Sequence, residues 1–311
     1  MLKETLSKQS GVTIENLEWL AETASKRYKT YEIPKRNGGL RTIHHPSRGL
    51  KGIQRWVSKF LLRRLPVHVA AQAYVRGASI RKNAGLHANS KFTLRIDFAD
   101  FFPSFSKEHV EVFLAAVERE RQIGLVQQDI SFVSRIVSRH GRLTIGAPSS
   151  PMLTNAMMHL FDSQISEFAE RQKLIYSRYA DDLFFSSNGP DNLSDVVATV
   201  RQIADSYPYA NLRLNPDKTV FLSRRYSRRV TGLVLTTDGK VSIGRERKRA
   251  VKAQVYKFIQ GELDNFEVPT LRGYLAFIQD VEPEFWESLN RKYGADTMLT
   301  VRGKQHFAAL L

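Results

Sequence analysis

Asp181 and Asp182 stand side by side between two short apolar and aromatic runs, 174–179 and 183–186. A third acid, Asp97, ends the run 92–96, with Phe98, Phe101 and Phe102 close behind it. An adjacent aspartate pair is by itself a common polar turn, and an acid at a strand end a common cap. The setting argues for more. Neighbouring carboxylates raise one another's pKa unless a cation neutralises them, so acids at the rim of an apolar sheet suit a divalent metal. Asp97 with Asp181 makes the smallest ligand set for two Mg²⁺ ions about 3.5–4 Å apart, one activating an attacking hydroxyl and both stabilising an in-line phosphoryl transfer. That is the chemistry of nucleotidyl transfer.

The apolar spacing predicts the elements that must carry these acids. Residues 92–97 read as a strand, and 174–179 with 183–186 as the arms of a hairpin whose tip is Ala180-Asp181-Asp182. Helices are predicted over 107–120, from Val110, Phe113, Leu114 and Val117, over 151–168, with Pro151 in the first turn, and over 193–203. Upstream, Val12, Leu17, Leu20 and Ala21 mark an opening helix, and Gly38-Gly39 turns a hairpin between Tyr31/Ile33 and Leu40/Thr42/Ile43. Ile53, Trp56, Val57, Phe60 and Leu61 give 53–65 an amphipathic helix with a basic outer face. A second hairpin is predicted over 230–243, turning near Asp238-Gly239, and helices from Arg245 onward, broken at Pro269. The class is α+β with a terminal helical domain.

Composition narrows the partners. The 311 residues carry 47 Lys and Arg against 31 Asp and Glu, a net +16, with no cysteine. Disulfides, cysteine zinc sites and thiol nucleophiles are excluded together. With 42% hydrophobic and 25% charged residues the chain is ordinary globular material, enough for two or three compact units. No apolar run approaches the ~18 residues of a membrane span and the N-terminus lacks a secretory pattern, so a cytoplasmic protein without a membrane segment is expected. A pI near 10 points to a polyanion, either nucleic acid or an anionic membrane face, with a basic but unengaged surface as the alternative.

Arg178-Tyr179-Ala180-Asp181-Asp182 resembles the Tyr-X-Asp-Asp hairpin of reverse transcriptases, and the segment LRIDFADFFPSF, 94–105, resembles their first palm motif. Gly146-Ala147-Pro148-Ser149-Ser150-Pro151-Met152-Leu153-Thr154-Asn155 is similar to the second palm motif and Leu214-Asn215-Pro216-Asp217-Lys218-Thr219 to the fourth, all in family order. Asn83-Ala84-Gly85-Leu86-His87 and Val230-Thr231-Gly232 match the Asn-Ala-X-X-His and Val-Thr-Gly signatures of retron reverse transcriptases. The chain is identified by this resemblance as a retron-type reverse transcriptase over about residues 25–295. One departure stands out: Thr144-Ile145 replace the usual Pro-Gln before Gly146. A polar contact near the incoming nucleotide is thereby lost, which bears on fidelity or efficiency rather than on the reaction.

The resemblance implies a right-hand polymerase: an N-terminal helical region and fingers over 1–95 with part of 107–145, a ferredoxin-like palm with an antiparallel sheet over 96–235, and a mostly helical, RNA-binding thumb over 236–311. Asp97, Asp181 and Asp182 become catalytic residues holding two Mg²⁺ ions, replaceable by Mn²⁺, with Asp182 alternatively a supporting acid. Lys218 reads as a general acid for the leaving pyrophosphate, or as a solvated turn lysine. For the dNTP, Phe102 falls where the family excludes a 2′-hydroxyl, unless it only fills the core. Arg41, with Lys35 or Arg36, is placed to clamp the triphosphate, and Gly146 lies in the nucleotide pocket. RNA contact is expected of Asn83, His87, Val230, Thr231 and Gly232, although a lone histidine is more often a structural hydrogen-bonder. It is expected too of Arg245, Lys248, Arg249 and Lys252, in a stretch from Arg224 to Lys257 that has eleven Lys and Arg against Asp238 and Glu246.

The implied activity is that of a retron: binding a cognate structured noncoding RNA, priming from a guanosine 2′-hydroxyl, and copying part of the RNA into branched DNA. Implied partners are dNTPs, that RNA with its cDNA, an effector protein in antiphage defence, and a host RNase H, because no nuclease motif is visible in the chain. A group II intron or diversity-generating reverse transcriptase is the near alternative, and an idle RNA-binding polymerase-like protein the distant one. The two retron signatures weigh against the former and the intact acids against the latter.

Overall fold

A computed structural model describes residues 2–35 and 38–303. Arg36, one expected helper of Arg41, and residues 304–311 of the expected thumb lie outside the described residues. In chain order the elements are α1 (Leu2–Ser10), α2 (Ile14–Glu22), β1 (Tyr28–Pro34), β2 (Leu40–Pro46), α3 (Arg48–Phe60), α4 (Ile80–His87), β3 (Phe92–Phe98), α5 (Lys107–Arg121), α6 (Gln127–Val137), α7 (Ser150–Met157) and α8 (His159–Arg171). There follow β4 (Ile175–Tyr179), β5 (Asp182–Ser187), α9 (Val196–Asp205), β6 (Leu214–Ser223), β7 (Arg228–Val230), β8 (Leu233–Leu235), β9 (Val241–Ser242), α10 (Arg245–Ile259), α11 (Val268–Val281), α12 (Pro283–Tyr293) and α13 (Ala295–Val301).

The chain forms two compact units, one of residues 1–78 with 94–221 and the other of 79–93 with the chain from Leu222 on. In the first, a four-stranded sheet runs in the order β4-β5-β3-β6. Its core face is aromatic: Phe98 meets Phe161 of α8 edge to face at 5.7 Å, and Phe161 meets Tyr207 at 5.7 Å. Phe98, Phe161, Phe184 and Phe185 are all buried, and each such side chain contributes about 1.5–3 kcal/mol relative to exposure. The same unit holds the two-stranded antiparallel hairpin β1–β2, in register from Tyr28↔Pro46 to Pro34↔Leu40.

In the second unit β7, β8 and β9 form a three-stranded antiparallel sheet against which α4 packs, followed by helices α10 to α13. This grouping cuts across the boundaries expected from sequence. Segment 79–93 leaves the fingers region 1–95, because Ala84 and His87 are buried against β7 and β8 and Arg228 donates to the carbonyls of Ala88 and Ser90. The unit then resumes at Leu222 instead of 236. Three smaller differences follow. The helix predicted over 151–168 is two helices meeting at Met158, the hairpin over 230–243 has three strands, and Pro269 sits in the first turn of α11, where its missing N–H costs nothing.

Candidate active site

Strand alternation puts Arg95 and Asp97 on one face of β3, with Leu94 and Ile96 buried on the other. Because β5 flanks β3 on one side and β6 on the other, Asp182 and Lys218 are brought to Asp97 from opposite sides. Lys218 Nζ donates to Oδ1 of Asp97 at 2.9 Å. Arg95 donates to Oδ1 of Asp182 from Nε at 2.9 Å and Nη2 at 2.8 Å, and Nη2 stands 3.7 Å from Oδ2 of Asp97. Tyr179 pairs with Asp182, leaving Ala180-Asp181 as a two-residue turn, and the Phe98 amide donates to the Asp181 carbonyl at 3.2 Å. Ala180 takes φ +59° to make that turn, a left-handed conformation that costs a non-glycine residue on the order of 1–2 kcal/mol.

Burial lifts the Asp181 carboxyl above its ordinary pKa and the Asp97 charge adds to this, against its backbone hydrogen bond and the charges of Lys218 and Arg41. Burial likewise lifts Asp182, reinforced by Asp181 and Asp97 and opposed by Arg95. Of the three cations that act on these carboxylates, two, Arg95 and Lys218, are in ion-pair contact with them. Among the described residues no group of three or more His, Cys, Asp or Glu side chains is arranged as a metal cage; Arg95 and Lys218 occupy carboxylate oxygens instead. The donor chemistry nonetheless fits a hard divalent cation, being all oxygen, anionic and short of positive charge.

The other expected nucleotide residues lie in the same unit. Arg41 is exposed on β2, and its charge acts on both Asp181 and the Tyr74 hydroxyl. Phe102 is half-buried, edge to face with Phe101 at 5.6 Å. Gly146, at φ +108°, is where two backbones meet: a Cβ there would lie 2.6 Å from the His44 carbonyl oxygen, and His44 N donates to Ile145 O at 2.9 Å. The second motif thus abuts the strand that carries Arg41.

Three participants were not singled out from sequence. Arg95 follows from alternation, since i and i+2 share a strand face. Tyr74, at φ +60° and 54% exposed, sits in a stretch with no periodicity and had no such signal. Asp162 is fully buried with Arg178, which donates to its Oδ1 from Nε at 2.8 Å and to its Oδ2 from Nη2 at 2.6 Å. Arg178 Nη1 also donates at 3.1 Å to the Ala180 carbonyl and to Oδ1 of Asn155, whose Nδ2 donates to Ala73 O at 2.7 Å. One buried cation so ties the aspartate turn to the second motif and to the residue before Tyr74.

In the second unit the expected RNA residues separate into two kinds. Asn83, His87 and Val230 are each 0% exposed, so their side chains build the unit. Thr231 and Gly232 form the β7–β8 turn with φ +48° and +79°. The turn is tied down by Thr231 Oγ1 donating to Ile80 O at 3.1 Å and by Arg247 Nη1 donating to Gly232 O at 3.1 Å. The two signatures are thus halves of one substructure. Lys248 is engaged with Glu282, whereas Arg245, Arg249 and Lys252 are exposed. A groove of about 680 Å³ is lined by Arg224, Arg225, Arg229, Arg245 and Arg247 in this same unit.

Burial, and then the Arg228 charge, push His87 down to about 3. Between pH 6.5 and 3 the unfolded chain takes up a proton that the folded chain refuses, so this unit loses stability as pH falls below about 6.5. Urea unfolding followed across pH 7 to 4 should show that slope, and His87→Gln should flatten it even if it lowers stability at pH 7.

Residues 33–239 match the family model described as reverse transcriptase (RNA-dependent DNA polymerase). The retron Ec83 reverse transcriptase of Escherichia coli is 37% identical over 289 residues, covering 91% of this chain and 92% of that protein. The retron Ec86 reverse transcriptase of the same organism is 32% identical, covering 94% and 91%. Among solved structures, telomerase from Candida tropicalis in complex with a fragment of telomeric RNA shares the fold, at TM-score 0.51 and 14% identity over 92% of this chain and 56% of that one. The chain belongs to the reverse transcriptases and has their right-hand polymerase fold. Within them it is of the retron type, an RNA-directed DNA polymerase.

Proposed function

We propose that this chain binds a cognate structured noncoding RNA, primes from a guanosine 2′-hydroxyl within it and copies a neighbouring stretch into branched single-stranded DNA, acting in the cytoplasm in an antiphage retron with an effector protein and a host RNase H. The observation that carries the catalytic half is the convergence of Asp97, Asp181, Asp182 and Lys218 around the central strand β3 in a retron-type chain. Asp97 and Asp181, with Asp182 beside them, would hold Mg²⁺, which when bound supplies activation of the attacking hydroxyl and charge stabilisation at the phosphorus. Mn²⁺ would serve as a substitute.

The chain's own groups do the rest. Lys218, exposed and already oriented onto Asp97, would donate a proton to the leaving pyrophosphate. Arg41 binds the triphosphate, Phe102 shuts out a ribose 2′-hydroxyl, and Gly146 keeps β2 close enough for Arg41 to reach. Exposed Arg245, Arg249 and Lys252, with the arginine-lined groove beside them, take RNA phosphates. The test is DNA synthesis from dNTPs and Mg²⁺ on the RNA encoded next to the gene, with the product analysed for a 2′,5′ branch. Linear product alone would sink the priming half, and no product would sink the whole.

Two variants probe the nucleotide pocket. Phe102→Ala should incorporate ribonucleotides at least 10-fold more readily relative to dNTPs, and an unchanged ratio would reduce Phe102 to core filling. Gly146→Ala places a methyl 2.6 Å from a backbone oxygen. Displacing β2 by even ~1 Å should lower kcat/KM for dNTP by about 10²-fold, with most of the loss in KM, in steady-state primer extension.

A further inference from the structure

The charge of this chain is very unevenly placed. From Ile33 to Ile96 it carries fourteen Lys and Arg and no Asp or Glu, a local excess of +14 against +16 for the whole. Part of that excess gathers in the first unit, away from the carboxylates. The end of the β1–β2 hairpin where Tyr28 pairs with Pro46, together with the N-terminal half of α3, walls a groove of about 790 Å³. Lys26, Lys29, Arg48, Lys51 and Arg55 line it. Among the described residues no carboxylate oxygen lies within 4.0 Å of any of the five. Like charges collected in a concavity repel one another and focus a positive potential into it, which is a seat for a polyanion.

A second observation is independent of charge. Gly52 lines the same groove from the interior of α3, and a Cβ added there would meet nothing within 4 Å. Packing therefore does not call for glycine, and glycine inside a helix is destabilising relative to alanine. A bare helix surface facing the groove lets a ligand backbone come closer than any side chain would allow. No Leu, Ile, Val, Phe, Met or Trp lines the groove, so it lacks the apolar anchor that a membrane surface or an amphipathic peptide needs.

We propose that this groove seats the phosphodiester backbone of RNA, at a site separate from the catalytic carboxylates. His45, at its edge, is four residues along β2 from Arg41, or about 13 Å of strand, so RNA held there remains connected to the copying site. The proposal rests on the reading of this chain as an RNA-copying enzyme and adds the surface that holds the RNA while it is copied.

The test uses the full chain, fluorescein-labelled 30-nucleotide oligo(U) and two variants, Gly52→Glu and the combined Lys29→Ala, Lys51→Ala and Arg55→Ala. By anisotropy at 0.1 M salt, both should bind at least 10-fold more weakly than wild type. The triple variant should lose about 2 from the slope of log affinity against log salt, at ~0.7 for each phosphate contact. Gly52→Glu should at the same time melt no lower than wild type, because its carboxylate lies among unpaired cations; weaker binding with unchanged melting separates the groove from misfolding. Wild-type affinity and slope in both variants would overturn the proposal, as would a loss confined to phosphatidylglycerol vesicles. Extension of a DNA primer on poly(rA) by the wild type, run alongside, reports on the polymerase reading: failure there with intact oligo(U) results would remove the enzyme and leave the groove.

Discussion

Asp181→Asn is expected to abolish DNA synthesis, by at least about 10³-fold in single-turnover extension, while raising the melting temperature in metal-free buffer. The two effects have one origin. Asp181 is held above its ordinary pKa by burial and by Asp97, and the countering charges of Lys218 and Arg41 do not cancel these. A carboxylate in that position is charged at a cost to the fold, which the neutral amide removes. The sign with pH follows. The folded chain keeps a proton on this carboxyl to higher pH than the unfolded chain does, so the contribution of this one group to metal-free stability is greatest below about pH 4 and falls as pH rises through the raised value. Mg²⁺ should therefore stabilise the wild type more at pH 8 than near pH 4, and Asp181→Asn should lose most of that increment. Each kcal/mol would appear as about 2–4 °C in calorimetry. A variant that melts lower without metal, or that keeps the full Mg²⁺ increment, would show that Asp181 is not the strained ligand described above.

The acids of this site were legible because they sit where local patterns are strongest. Asp97 ends an alternating strand, and Asp181-Asp182 interrupt two apolar arms, so strand, hairpin and rim followed from residue type alone. What stayed hidden depends on pairing between segments distant in the chain. That Arg95 reaches Asp182 requires the order β5-β3, which no local period encodes. That Asn83–His87 and Val230–Gly232 are one substructure requires α4 to cross to a sheet some 140 residues away, and the buried face of so short a helix looks the same whatever covers it. The burial of Asn83, His87 and Val230 was hidden for the same reason: a motif marks residues that matter without saying whether they touch the ligand or support what does. Net charge behaved likewise. A value of +16 announced a polyanion but not that a stretch without a single acid, 33–96, supplies nearly all of the excess.

Asp162→Ala should be the most destabilising single substitution in the first unit, at about 3–5 kcal/mol, because it leaves the fully buried Arg178 guanidinium without its counter-charge. The Tyr176 hydroxyl, which donates to the same carboxylate at 2.8 Å, loses its acceptor as well. Stability alone would not distinguish a structural pair from a positioning one, since a buried ion pair can often be replaced by apolar residues with little loss. The combined Asp162→Leu and Arg178→Met variant makes the distinction. It should recover most of the stability in urea unfolding, because no uncompensated charge remains. It should not recover DNA synthesis, because methionine cannot donate to the Ala180 carbonyl or to Asn155, and those bonds hold the aspartate turn against the segment preceding Tyr74. The loss should lie mainly in kcat, with RNA affinity unchanged, since no residue of the two basic grooves is altered. Recovery of both stability and kcat would mean that the turn is held by the Phe98–Asp181 and Tyr179–Asp182 backbone contacts alone.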